Sequence, residues 1–316
     1  MALDKGRAAI TPAAVRNYRL GLALVTGSAV AWSTAGFFTR LIPLHSATLL
    51  VWRGLFGGLG LLALIIVREG RGTPAALTSM GRPGVIFAAV SALGMVFFIT
   101  SLRHTTVAHV AVIYATVPFV GAALAWMFLA EAPGRAALLA SLGALAGVTV
   151  MVGLGREGGL SGDLLAFGMT ACMAAMMVIS RRHPGIGVLP AAALSAWLSA
   201  LAALPFADTA LPGATDMVLL AAFGLVNSAL GLAFFTLGAR RLPVIETALI
   251  GALDAPLAPV WVFLAFGETP DRATLVGGLI VFAAVGLHLL VATGAGVEGP
   301  PPMAAAPRPV RVRRRR

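Results

Sequence analysis

Ten apolar runs, most about twenty residues long, take up nearly the whole of this chain. Such a run has the length of a helix that crosses a bilayer. They lie at roughly 20–39, 46–67, 84–102, 107–129, 135–154, 163–181, 188–206, 216–238, 243–266 and 273–292. Of the 316 residues, 59% are hydrophobic and only 11% are charged. A soluble domain carries about 25% charged residues. One water-soluble core cannot take in that much apolar surface. The sequence therefore predicts an all-α integral membrane protein, because helices satisfy their own backbone in hydrocarbon.

The net charge of +11 is not spread as a nucleic-acid-binding face would spread it. The basic residues sit in gaps between the apolar runs and at both ends. With the N-terminus inside, the inner segments hold Lys5, Arg7, Arg16, Arg19, Arg68, Arg71, Arg82, Arg135, Arg181, Arg182, Arg240, Arg241 and the six arginines of the last nine residues. The outer segments hold Arg40, Arg103, Arg156 and Arg272. The positive-inside rule then sets both termini in the cytoplasm of a bacterial inner (plasma) membrane, as a multi-pass protein. Residues 1–19 read as a cytoplasmic N-terminal segment rather than a cleavable leader. Residues 293–316, Pro-rich and then Arg-rich, read as a disordered basic cytoplasmic tail. The single Cys172 excludes an intramolecular disulfide and a cysteine metal cluster.

The second constraint is a repeat. SALGMVFFITSLRH at Ser91 returns as SALGLAFFTLGARR at Ser228, an offset of 137. The same offset pairs Val107, Ala111, Ile113, Glu131, Pro133 and Arg135 with Val244, Ala248, Ile250, Glu268, Pro270 and Arg272. Two five-span repeats result, 20–155 and 162–292. Five is odd, so the second repeat crosses the membrane in the opposite sense. Inverted repeats of this kind are common in secondary transporters, which bind cargo near the midplane between the halves. No acid cluster, H-E-x-x-H, phosphate-binding loop or G-x-S-x-G is present to suggest an enzyme or an ATP-driven pump, and no cofactor is implied.

The residues carrying the repeat also carry a family likeness. SLRHTTVAHVAVIYATVPFVGAALAWMFLAEAPGRAAL resembles the EamA repeat of the drug/metabolite transporter superfamily, with Pro118 followed by Glu131. ARRLPVIETALIGALDAPLAPVWVFLAFGETPDRATL repeats the pattern with Glu268, while AWSTAGFFTRLIP and VWRGLFG resemble the first and second helices. Within that superfamily the chain is similar to YddG-type exporters of aromatic amino acids. The resemblance implies export of small amphipathic metabolites, aromatic or hydrophobic amino acids above all, by alternating access through a cavity lined mainly by helices 1, 3, 4, 6, 8 and 9. Lipid-type or nucleotide-sugar cargo on the same fold is the alternative, and a non-transporting scaffold or enzyme is the alternative from another class. One departure stands out: where the family's second repeat often has Glu-Pro, this chain has Asp254-Ala255, with prolines at Pro256 and Pro259, so helix 9 is expected to bend in its own way.

Polar residues at membrane depth are the site candidates, since each is costly there. Asp254, mid-helix, suits proton coupling, amine recognition or a structural hydrogen bond. Arg53 suits a substrate carboxylate, an ion pair or the outer interface. Tyr114, Asn227, Ser228, Ser33 and Thr34 offer neutral hydrogen bonds at cavity depth. Trp32, Phe98 and Phe235 offer aromatic walls, and Met173 belongs to a pliable Met-rich helix 6. Arg53, His109, Glu246 and Asp254 are candidates for coupling or gating, and Glu131 and Glu268 for local pairs with Arg135 and Arg272. The expected partners are a small-molecule substrate and membrane lipids, with no nucleic acid, and with a monomer or a homodimer both compatible.

Overall fold

The computed structural model describes residues 12–153, 159–208 and 210–294. The predicted tail from 295 on, and residues 1–11 of the N-terminal segment, lie outside the described residues. Every regular element described is helical, and ten helices are long and apolar enough to cross a membrane. We number them α1 (Ala13–Leu41), α2 (Ser46–Thr78), α3 (Gly81–Ser101), α4 (His109–Leu129), α5 (Arg135–Val152), α6 (Leu160–Arg182), α7 (Val188–Phe206), α8 (Ala214–Ala239), α9 (Val244–Phe266) and α10 (Arg272–Val291). Because successive spans alternate in direction, Arg16, Arg19, Arg68, Arg71, Arg82, Arg135, Arg181, Arg182, Arg240 and Arg241 gather at one end of the bundle, the basic face. Arg40, Arg103 and Arg272 mark the opposite face.

The burial pattern is inside-out relative to a soluble protein. Large apolar side chains such as Leu139, Leu164 and Leu279 stand exposed on the perimeter. Much of the interior is built from alanine, glycine and serine, which let helices approach closely where lipid gives no hydrophobic drive between them. At the α5–α10 crossing, a Cβ on Gly277 would lie 2.3 Å from the Gly147 carbonyl oxygen, and one on Gly147 would lie 2.7 Å from that of Gly277. At the α2–α8 crossing, a Cβ on Gly57 would lie 2.2 Å from Cβ of Ser228.

Besides the loosening of α1 at Thr34 and the 3-10 turns at Gly70–Gly72 and Leu204–Phe206, three spans are interrupted near their middle. In α4 the helix stops at Tyr114 and restarts at Val117, and in α9 it stops at Gly251 and restarts at Asp254. Proline explains both breaks. Pro118 has no N–H to give the Tyr114 carbonyl, and Pro256 has none for Ala252. Each break is tightened by a three-residue turn, Thr116 N–H to Ile113 O at 3.0 Å and Leu253 N–H to Ile250 O at 3.1 Å. The two breaks share one repeat position, because each residue of the first plus 137 gives the second. The left-handed residues that end the two spans, Ala130 and Gly267, obey the same offset. Although its prolines are displaced, α9 therefore bends at the same repeat position as α4.

The third interruption has no counterpart. In α8, Gly224–Leu230 forms a π-helical turn, whereas the corresponding part of α3 lies in continuous α-helix. Such single π turns occur often at functional sites. The α5–α10 crossing tests the packing account: Gly277→Leu forces a side chain into backbone and is expected to cost about 1–3 kcal/mol. A clearly lowered melting temperature in detergent checks it, and an unchanged one argues against this crossing.

Candidate functional site

The midplane holds a cavity of about 480 Å³, within the usual range for small-molecule sites. Among its lining residues are Trp32 from α1, Arg53 from α2, Phe98 from α3, Tyr114 from α4, Met169, Met173 and Met176 from α6, Asn227 and Ser228 from α8, and Asp254 from α9. A second space of about 260 Å³ shares Trp32, Tyr114, Met173 and Asp254 and adds Ser33, Met177 and Phe235. A third, about 480 Å³, continues past Ala111, Ala255 and Ala258 to Glu268 and Thr274 on the opposite face. The open space thus lies between the opposite-face halves of α4 and α9.

On the basic-face side the same two spans are packed. Val117, Ala125, Val244 and Ala248 are buried in one cluster with Phe87, Met176, Met177 and Phe235. A Cβ on Gly121 would lie 2.9 Å from a methyl of Val244. The result is a cavity open toward one face and sealed toward the other.

Asn227 organises the polar wall. Its Nδ2 donates to the carbonyls of Ala31 and Trp32, each at 3.2 Å, just where α1 loses helical form at Thr34. Its Oδ1 accepts from Arg53 Nη1 at 3.0 Å. The Arg53 guanidinium also lies 5.5 Å from the Phe223 ring centroid, and its Nε is buried without a partner. Sequence reasoning offered Arg53 a substrate carboxylate, an ion pair or the outer interface; among the described residues it is in no ion pair, and its hydrogen-bond partner is a neutral amide at the cavity wall. Asp254 stands in the first turn of the restarted helix of α9, where the dipole favours a negative group. It takes part in none of the ion pairs found among the described residues.

The other candidates fall in different places. Trp32 tilts against Phe235 at 5.1 Å between ring centroids. Ser33 Oγ accepts from Trp261 Nε1 at 2.8 Å, tying α1 to α9. Thr34 returns its hydroxyl to the Ala31 carbonyl at 2.6 Å and is absent from the lining. His109 and Glu246, equivalent under the repeat, sit outside the cavity, His109 against α6 and Glu246 against α1. His109 Nδ1 lies 3.1 Å from Asp163 of α6, which also accepts from Thr105 at 2.6 Å. Glu246 accepts from Tyr18 of α1 at 2.8 Å, with His288 Nε2 3.9 Å away.

Glu131 and Glu268 correct another expectation. They pair at long range, Glu131 with Arg181 at 2.9 Å and Glu268 with Arg40, and not with the arginines four residues on. The loop positions place those distant arginines nearer than the sequence spacing suggests. Sequence reasoning named α2 only through Arg53 and missed α7 as a wall. Ser195 of α7 donates to Ser91 of α3 at 2.6 Å, and both line the cavity with Ser199. The signal was faint: hydroxyls spaced four apart in an alanine-rich run. Among the described residues no group of three His, Cys, Asp or Glu side chains could hold a metal ion.

Comparison with known proteins bears on this geometry. The model of the EamA-like transporter family matches residues 19–153 and again 160–290. A search of curated proteins finds no match to the chain. A solved crystal structure, titled only as that of a protein, superposes with a TM-score of 0.74 at 18% identity, over 88% of this chain and 99% of its own. At that identity it speaks for the fold alone.

The Arg53–Asn227 bond carries a direct test. Asn227→Val, which installs the residue found at the repeat position in α3, strands a buried guanidinium and is expected to destabilise by about 2–4 kcal/mol. Arg53→Met in the same background is expected to recover most of that loss in a double-mutant cycle. Additive losses in thermal unfolding count against the coupling.

Proposed function

The chain belongs to the EamA-like transporter family, and from that premise we propose that it exports small zwitterionic metabolites, aromatic or hydrophobic amino acids foremost. One observation carries the reading. A single cavity presents one cation, Arg53, and one carboxylate, Asp254, among walls of Trp32, Phe98, Tyr114 and methionines. A free amino acid needs such a set: a cationic partner for its carboxylate, an anionic partner for its ammonium, and an adaptable apolar wall for its side chain. Lipid cargo would be poorly served by two opposed charges at the midplane. Nucleotide-sugar cargo would call for more than one cationic group against its phosphates.

In this reading the basic face is cytoplasmic, following the positive-inside rule, and the cavity opens outward. The two repeats, related by inversion, give a matching inward-open form, and alternation between them moves cargo. The site residues are Trp32, Ser33, Phe98, Tyr114, Met173, Asn227, Ser228, Phe235, Asp254 and Arg53. Tyr18–Glu246 and Asp163–His109 hold corresponding places on the two sides, as gating contacts between α1 and α9 and between α6 and α4.

Proteoliposome flux tests the assignment. Radiolabelled phenylalanine or tryptophan is expected to exchange across vesicles containing the wild-type protein. Met173→Trp, which fills the cavity from α6, is expected to lower that exchange by more than about tenfold, a barrier change of about 1.4 kcal/mol or more. Absence of flux for every amino acid, with displacement by a lipid or a nucleotide sugar, overturns the reading.

A further inference from the structure

The repeat is closely obeyed in backbone at the two broken helices and broken in chemistry at one position of the seam. On the basic-face side, Val117 opens the second half of α4 and is only 3% exposed, packed with Val244 and Ala248. Its counterpart at offset 137 opens the second half of α9, and it is Asp254. The counterparts of Gly121 and Ala248 are Ala258 and Ala111, which face each other across open space. Closing the outer side by the mirror of the inner seam would bring Ala111 toward Ala258 and place Asp254 where Val117 is buried. An ionised carboxylate cannot enter an apolar seam without a large desolvation cost. The inner seam carries no such condition.

We propose that Asp254 makes closure of the outer face conditional on a cation: a proton on the empty carrier, or the ammonium group of cargo on the loaded one. This rests on the alternating-access reading above. The empty outward-open protein takes a proton from the outer water onto the Asp254 carboxylate, and the outer halves of α4 and α9 close. The inner halves then part, and the proton stays on the carboxylate until an ammonium group replaces it there and releases it to the cytoplasm. Cargo entering from inside supplies its ammonium in place of that proton, so the loaded carrier closes outward and inward in turn without it. One proton then enters for each cargo molecule that leaves, and a cargo lacking an amine is a poor substrate.

The groups around Asp254 agree with this assignment. Tyr114 of α4, Arg53 of α2 and Cys172 of α6 are the titratable side chains that share its cavity. On α1, Arg40 is engaged with Glu268 at the opposite face, while Tyr18, Glu246 and His288 of α10 form a separate group toward the basic face. Arg16 and Arg19 of α1 stand at the basic face, and Arg272 of α10 at the opposite one. Two carboxylates line these spaces among the described residues, Asp254 and Glu268; Glu268 is paired with Arg40 at the rim, and Asp254, deeper between α4 and α9, is in no ion pair.

A crosslink reads closure without reading transport. Cysteines at positions 111 and 258, with Cys172→Ser, are joined by a short bifunctional thiol reagent at saturating exposure in proteoliposomes from pH 5 to pH 9. With Asp254 present, the crosslinked fraction is expected to fall as pH rises, by up to about tenfold per pH unit once the carboxylate ionises. With Asp254→Val or Asp254→Asn it is expected to stay high and flat; two variants guard against a folding defect in one. At pH 9, phenylalanine is expected to restore crosslinking to the Asp254 protein, and 3-phenylpropionate, which lacks the amine, is not. Crosslinking that ignores pH with Asp254 present, or whose pH dependence survives both substitutions, overturns the proposal. Equal rescue by phenylpropionate overturns its amine half. A pH response without rescue by phenylalanine supports the proton half and counts against the amino acid cargo.

Discussion

A backbone carbonyl without its donor has no water to turn to inside a bilayer. Such a carbonyl is tolerated only in protein or against a wet cavity. Pro118 and Pro256 create two of them, at Tyr114 and Ala252, and both residues line the central space. Much of the site follows from that constraint. The breaks split α4 and α9 into halves, the halves can pack or part separately, and the restarted helices direct their N-terminal ends at the midplane. Asn227 meets the same need elsewhere, covering the Ala31 and Trp32 carbonyls where α1 loosens.

On the proposed reading the inverted repeat supplies two near-equivalent arrangements, and the sequence does not treat them alike. Its two broken helices stop and restart at positions 137 apart, and the repeat counterparts His109 and Glu246 each bond across to the first span of the other repeat. Against that symmetry stand two asymmetries. The π turn of Gly224–Leu230 exists only in the second repeat and carries Asn227 to Arg53. Asp254 stands opposite Val117. In the proposed cycle, symmetry would account for reversibility of shape, and these departures would give the two directions different chemical conditions.

Much of this was legible in the chain. Apolar run length set ten spans, and the 137-residue offset set the repeats, because both are written in residues that contact lipid or backbone. Trp32, Tyr114, Asn227 and Asp254 were legible as candidates, and all four line the cavity, because polar and ring groups at membrane depth need a reason. Pairings across the bundle were not. Nothing near Glu131 in sequence names Arg181, and nothing near Glu246 names Tyr18, since each bond joins spans whose angular facing is set by small-residue packing. The π turn was hidden too: GLVNSAL has no helix breaker beyond one glycine, and that glycine, Gly224, packs against the backbone of Arg53 and Gly57 on a span far away in sequence.

The central claim is that α4 and α9 open and close in opposition on the two faces. Single cysteines at Ala111 and Ala248, repeat counterparts on opposite sides of the cavity, read it most directly with Cys172→Ser and membrane-impermeant thiol reagents applied from either face. The account predicts reciprocity: a condition that speeds labelling at 111 slows it at 248, and the reverse. Labelling that rises and falls together at the two positions, or varies independently, would contradict it.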